Sequence, residues 1–440
     1  MKVLKFGGTS VGTPERMRHV VELVTKEQRC LVVLSALART TDTLLSYARV
    51  IADQQTDVAH GILQDLEAHY RRFIRGLYDS EGARTRAEQM VTRHMEFLES
   101  HAGDGEVPYD ERTILAQGEL MSTALLQFRL EELGRRSMLL PALEFMRLDE
   151  HGEPDMQALE ATLLPVVASH ADCPLFVTQG YICRNAFGET DNLKRGGSDY
   201  SASLIGAAIR AEEIQIWTDI DGMHNSDPRY VEGTQSIREL SFDEAAELAY
   251  FGAKILHPSS ILPARKQNIP VRLLNTLDPS APGTLITGKK TYGHIKAVAA
   301  KDGITAINIR SSRMLLAYGF LRRIFEVFEL HRTPIDLITT SEVAVSVTID
   351  DAGRLEEIVR DLGQYGTVEV DQQLSIICVV GDFVAEASGA ALRVIESLKN
   401  IPVRMISYGG SPHNISLLID SELKARALNA LHQGLFHVHP

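Results

Sequence analysis

A lysine followed by paired glycines and hydroxyls, placed where an apolar run ends, can hold and polarise a phosphoryl group. The run Val3 to Phe6 leads into Lys5-Phe6-Gly7-Gly8-Thr9-Ser10 and then Gly12-Thr13-Pro14-Glu15. Glycines directly after a buried strand let the backbone come close to a ligand, and Thr13-Pro14 supplies an N-cap and a first helical residue. Amides and a helix start then face one pocket, the requirement for an anionic group. Lys5 adds a mobile positive charge for the transferred oxygens. Because the lysine precedes the glycines, this is not a Walker A loop.

Three more clusters have related chemistry. Arg195-Gly196-Gly197-Ser198-Asp199-Tyr200 is a second glycine pair opening an apolar helix. The planar fork of Arg195 suits a carboxylate, Ser198 is a capping residue, and Asp199 can aim the Lys5 ammonium. Thr218-Asp219-Ile220-Asp221-Gly222 and Asp227-Pro228-Arg229 follow the strand Gln215-Ile216-Trp217, and the carboxyl ends of strands are where open α/β sheets bind nucleotides. Phe251-Gly252-Ala253-Lys254 adds a lysine after a helix, which taken alone reads as a solvated charge.

The elements that must position these groups alternate. Strand-like runs at Val3 to Phe6, Cys30 to Ser35, Leu175 to Tyr181, Gln215 to Thr218 and Val271 to Asn275 are separated by helical patterns such as Pro14 to Lys26, Asp155 to His170, Tyr200 to Ala211 and Phe242 to Phe251. That alternation predicts a mostly parallel sheet covered by helices on both faces. Gln54 to Arg112 interrupts it with a polar helical stretch, read as an inserted hairpin on the side of the domain. Beyond Leu277-Asp278-Pro279-Ser280-Ala281-Pro282-Gly283 the texture shortens and a repeat emerges. Pro334 to Ile338 recurs as Pro402 to Ile406, Val347 to Asp350 as Leu417 to Asp420, and Gly319 and Gly389 each open an amphipathic helix. The repeat predicts two small α/β modules side by side.

Composition narrows the partners. With 58 acidic against 45 basic side chains, the net charge of -13 repels phosphate backbones and anionic membranes, so neither nucleic acid nor membrane is expected as a partner. Apolar residues at 44% and charged residues at 23% are ordinary for a globular chain. No secretory segment precedes the first strand, and four cysteines without paired spacing point to a reducing, cytoplasmic compartment. Among them Cys183 has the most polar neighbourhood and is read as a small buried residue.

Together the clusters resemble the aspartate kinases of the amino-acid kinase superfamily. The matching text is Lys5 to Ser10, Gln117-Gly118-Glu119-Leu120-Met121-Ser122, Val177 to Ile182, Arg195 to Ala202, Trp217 to Gly222, Asp227 to Arg229 and Phe251 to Pro258, in the family's order. The resemblance implies an amino-acid kinase fold over 1–290, followed over 295–440 by two ferredoxin-like βαββαβ ACT modules, about 311–371 and 372–440, with 295–310 joining the second. It implies transfer of the γ-phosphoryl group of ATP, with Mg2+ carried mainly on its phosphates, to the side-chain carboxylate of L-aspartate. Lys5 and Asp199 would be catalytic, and Gly7, Gly8, Thr9, Ser10, Thr218, Asp219, Arg229 and Lys254 would hold ATP. Arg195 would clamp the substrate's α-carboxylate and Glu119 its ammonium, with Ser35, Thr41 and Ser198 completing the pocket.

The C-terminal repeat is most similar to the lysine-inhibited, monofunctional type. Asp336 would meet the ammonium groups of L-lysine, lined by Met314, Gly319, Leu321, Ile335, Thr340, Ser341 and Glu342. A homodimer or dimer of dimers through the ACT modules is expected, and with the chain ending at Pro440 no fused homoserine dehydrogenase is expected. Lys194 stands where the family usually has glycine, Thr190-Asp191-Asn192 replaces a threonine-rich run, and His224 replaces a common tyrosine. Lys194 is expected to offset the charge of Asp191. An N-acetylglutamate kinase is disfavoured by Glu119, while a catalytically weakened kinase homologue acting as an amino-acid sensor stands as the alternative.

Overall fold

The computed structural model describes residues 1–102, 109–193, 196–252, 256–289, 295–311, 318–383 and 389–436. The chain divides into two compact units, Met1–Met223 with Ile255–Gly288, and His224–Lys254 with Lys289–Pro440.

In the first unit the strand Lys2–Phe6 lies between Cys30–Leu34 and Ile214–Thr218, parallel to both. Leu175–Gln179 and then Ser137–Leu140 extend the sheet on one side, and Val271–Asn275 on the other, all parallel. Thr284–Thr287 then pairs antiparallel to Val271–Asn275. Cys30–Leu34 and Leu175–Gln179 are buried at every position, which is why they read as unbroken apolar runs rather than alternating ones. The helix Pro14–Val24 starts as its sequence requires, with the Thr13 side chain accepting from the Arg16 amide and proline in the first turn.

The inserted stretch forms helices Thr56–Leu77 and Glu81–Glu99. It is more than an appendage. Tyr70, Phe73, Ile74, Met90 and Val91 share one apolar core with Leu4, Phe6 and Val32 of the central strands.

The second unit carries a six-stranded sheet in the order Ile338–Thr340, Ala344–Ile349, Ile295–Arg310, Thr367–Gly381, Asn414–Asp420, Met405–Tyr408, antiparallel throughout. The sequence repeat is visible in it. Helices Phe320–Leu330 and Ala390–Ser397 are each preceded by a glycine at positive φ, 79° at Gly319 and 96° at Gly389. Each half has the ferredoxin-like order, and the long central strands Ile295–Arg310 and Thr367–Gly381 run through both halves.

This sharing corrects one boundary. Residues 295–310, expected to join the second module, are divided between the two: Ile295 to Lys301 pair with Ile376 to Gly381, while Thr305 to Arg310 pair with Ala344–Ile349 and Ala306 to Arg310 with Thr367 to Asp371. A strand of 16 residues runs roughly 50 Å at ~3.3 Å per residue, longer than a single small module. Its halves therefore feed separate cores, Ile307 and Ile309 with Ile324 and Val347, and Val298 with Ile377 and Leu417.

Leu417 is fully buried in the second of these cores. Leu417→Ala is expected to lower stability by about 2–5 kcal/mol through the cavity it leaves, read as a lower midpoint in thermal or urea unfolding.

Candidate functional site

Lys5 lies near the carboxyl end of the central strand, and its Nζ is 2.6 Å from Asp199 Oδ1, with the side chains 12% and 16% exposed. Asp199 sits in the first turn of the helix Gly197–Ala208, entered through Gly196 at φ 76° and Gly197 at φ 34°. The pairing expected from the two motifs is therefore present, although they are far apart in sequence. Close approach explains the second glycine of the first pair: a Cβ on Gly8 would fall 2.9 Å from the Ala36 carbonyl oxygen, whereas one on Gly7 would meet Lys5 Nζ at an ordinary 3.5 Å.

The two hydroxyls of the loop divide their work. Thr9 is exposed, whereas Ser10 is buried, its hydroxyl bonded to Thr276 Oγ1 at 2.7 Å and to the Trp217 carbonyl at 3.4 Å. Ser10 thus ties the loop to the ends of neighbouring strands.

Beside the ion pair is a second buried charge site. Glu119, halfway along the helix Glu111–Glu132, accepts the Ala36 amide on Oε1 at 3.2 Å, while Oε2 is buried without a hydrogen-bond partner. Burial pushes its pKa up to about 8, against the pull of the Ala36 amide and the Lys5 charge. One turn on, Ser122 donates to the Ser35 carbonyl at 2.8 Å, and Ser35 Oγ donates to Ser198 Oγ at 2.9 Å. The Ser35-Ala36 segment is thus held from two helices. Gly180 makes room for this, since a Cβ there would fall 2.4 Å from the Ser198 side chain. Thr41 is half-buried in the first turn of the helix Thr40–Ala52. Ser122 is the residue that the sequence reading missed; its i+3 spacing from Glu119 was the available signal.

The other expected residues are placed as follows. Thr218 ends the strand Ile214–Thr218 and Asp219 follows it, its amide donating to Thr218 Oγ1 at 2.7 Å. Arg229 belongs to the second unit, where its guanidinium grips both carboxylate oxygens of Asp227. Arg195, Lys254, Met314 and Lys194 lie outside the described residues. The charge of Asp191 is met by Arg112 Nη1 at 2.9 Å, a partner that was not foreseen. Cys183 is buried, with its thiol pushed up to about 12 by burial and then by Asp191, which leaves it unreactive.

In the second unit the Asp336 side chain is 2% exposed, and its Oδ1 accepts from Lys301 Nζ at 2.8 Å and from the Tyr250 hydroxyl at 2.6 Å. Ile335 is half-buried, and Gly319, Leu321, Thr340, Ser341 and Glu342 are exposed.

The amino acid kinase family matches residues 1–275 and an ACT domain matches residues 377–435. The lysine-sensitive aspartokinase 3 of Escherichia coli (strain K12) is 33% identical over 455 residues, covering 99% of each chain. Aspartokinase 2, chloroplastic, of Arabidopsis thaliana is 34% identical over 470 residues, 100% of this chain and 85% of that one. Among solved structures, E. coli aspartokinase III in complex with aspartate and ADP (R-state) matches with a TM-score of 0.84 at 32% identity, over 99% of this chain and 100% of that one. The same enzyme in complex with lysine and aspartate (T-state) matches with a TM-score of 0.78 at 32% identity, over 99% of each chain.

The raised pKa of Glu119 carries a sign. Folded protein holds a proton there that the unfolded chain releases above the ordinary carboxylate pKa of 4.5, so stability falls as pH rises from about 4.5 to about 8. Glu119→Gln is expected to flatten that fall, by an amount on the order of a few kcal/mol across the window. Thermal midpoints measured from pH 5 to 8.5 on both proteins would show the difference.

Proposed function

The chain belongs to the amino acid kinase family as an aspartokinase, and from that premise we propose how its own residues perform and regulate the reaction. The enzyme transfers the γ-phosphoryl group of ATP to the side-chain carboxylate of L-aspartate, giving 4-phospho-L-aspartate and ADP, the first step toward lysine, threonine and methionine. Lysine feeds back on it through the ACT modules. Residues 1–290 serve as the catalytic domain and 295–440 as the regulatory one.

The observation that carries the substrate assignment is Glu119. Its buried, unpartnered Oε2 accepts the free ammonium of aspartate, a group that an acetylated substrate lacks. Arg195 clamps the α-carboxylate, with Ser35, Thr41 and Ser198 around it. The nucleophile is the substrate's own carboxylate, already ionised at neutral pH, so the site needs no strong base. Lys5 follows the charge on the transferred oxygens while Asp199 keeps its ammonium aimed. Gly7, Gly8 and Thr9 present backbone and hydroxyl to the phosphates, Ser10 braces that loop, and Thr218, Asp219, Arg229 and Lys254 hold the nucleotide. For Arg229 this means exchanging its grip on Asp227.

Among the described residues no three His, Cys, Asp or Glu side chains are grouped to hold a metal, and Mg2+ carried on the ATP phosphates would supply charge neutralisation there. The edge strands Ile338–Thr340 and Met405–Tyr408, with Ile338, Ile406 and Tyr408 exposed, support pairing of ACT modules in a homodimer or dimer of dimers. No described helix is long and apolar enough to cross a membrane; a cytoplasmic enzyme is the reading we adopt. A weakened homologue acting only as a sensor is disfavoured by the intact Lys5–Asp199 pair.

Purified protein with ATP, Mg2+ and L-aspartate should yield an acyl phosphate that hydroxylamine traps as the hydroxamate; no trapped product would sink the reading. Lys5→Met should lower kcat by about 10²–10³-fold. Arg195→Ala should raise the KM for aspartate at least about tenfold, with the KM for ATP little changed.

A further inference from the structure

Asp336 is fixed in the sheet of the second unit, its amide donating to the Thr348 carbonyl at 2.8 Å, and its side chain is nearly sealed from water. A buried carboxylate that keeps its charge needs a cation beside it. The chain supplies one itself. Lys301 Nζ lies 2.8 Å from Asp336 Oδ1 and 2.8 Å from Asp350 Oδ2, and 4.4 Å from the centre of the Tyr250 ring. Two carboxylates and an aromatic face make a cage for an alkyl ammonium. Burial works against the Lys301 charge, but the bonds and charges of Asp336 and Asp350 outweigh it and hold its pKa above the ordinary lysine value.

The cage is incompletely satisfied. Asp336 Oδ2 is buried with no hydrogen-bond partner, so both donors crowd onto Oδ1 while the second oxygen waits. Lys301 also sits where the strand Ile295–Arg310 slips register, between Lys301 and Ile304, beside Gly303 at φ 77°. A side chain there can withdraw without breaking a continuous ladder.

The third partner leads elsewhere. Tyr250 ends the helix Phe242–Tyr250, and at Gly252, with φ 126°, a Cβ would fall 2.0 Å from the carbonyl oxygen of Ala300. The segment after Tyr250 is therefore pressed against the residue preceding Lys301. Lys254, assigned above to the nucleotide, follows Tyr250 by four residues in sequence.

We propose that Lys301 is a tethered competitor for the effector's ammonium on Asp336, and that the Tyr250 hydroxyl, bonded to the same carboxylate oxygen, passes the exchange to the nucleotide-binding segment. This rests on the reading of Asp336 as the lysine contact. The internal ammonium lowers apparent effector affinity by the fraction of time it holds the carboxylate, setting the threshold of inhibition above that of an empty cage.

The test is an L-lysine titration of the full-length enzyme, followed by thermal shift for binding and by hydroxamate formation for inhibition. Lys301→Met should lower the half-effect lysine concentration by about five- to tenfold, and Lys301→Arg, a firmer clamp, should raise it. Tyr250→Phe should keep the lysine-induced thermal shift while losing most of the lysine inhibition of hydroxamate formation. Unchanged or weaker lysine binding in Lys301→Met overturns the competitor role, and lysine binding in Lys301→Arg at least as tight as in the parent does so even should the methionine variant fail to fold. Full inhibition of Tyr250→Phe overturns the relay. A parent enzyme that lysine neither shifts nor inhibits refutes the regulatory reading itself, a result distinct from any change confined to the variants.

Discussion

A charge withdrawn from water must meet another, and the catalytic unit is arranged around the place where that is done for Lys5. Its strand is the centre of the parallel sheet, so a lysine near its carboxyl end is walled by neighbouring strands on both sides. The compensating carboxylate comes from Asp199, at the start of a helix whose two leading glycines take positive φ. The same turn that shapes the helix start aims its first acidic residue, and Gly8 lets the loop lie close against the Ala36 carbonyl. A site that must neutralise a moving phosphoryl charge is thus already balanced at rest, with a cation available at little reorganisation cost.

Glu119 is the opposite case in the same pocket. It is more deeply buried than the ion pair, has one oxygen satisfied by a backbone amide, and lacks a hydrogen-bond partner for the other. Left empty, such a group resolves its desolvation by holding a proton, which is what its raised pKa expresses. A ligand ammonium would release that proton and convert an unfavourable burial into a specific one. Asp336 solves the same problem a third way, by borrowing a lysine from its own chain. Three buried carboxylates, then, have a permanent partner, an absent one and a replaceable one.

Much of this was legible in sequence because the signals were local. Strands buried on both faces appear as apolar runs, the pair of glycine-opened helices in the second unit follows from the repeat, and Lys5 and Asp199 could be matched because each motif has only one charge suited to the other. What escaped depended on partners far along the chain. Nothing near Asp191 announces Arg112, and nothing near Ser10 announces its hydroxyl bond to Thr276. The strand Ile295–Arg310 was assigned whole to one module because a sequence pattern of period two does not reveal where pairing partners change.

That change of partners gives the regulatory unit its mechanical character. The two long central strands each run from one module into the other, so the two cores are joined through Ile295–Arg310 and Thr367–Gly381. The ladder between those strands is interrupted on either side of Ile304, between the half that serves one core and the half that serves the other. Lys301 stands at the edge of that interruption. An ion pair exchanged there acts where the backbone resists least and where both modules meet, and its third partner, Tyr250, lies on a segment held against the same strand. Coupling of this kind needs no long pathway of side chains, because a two-state contact placed at a shared joint biases both halves at once.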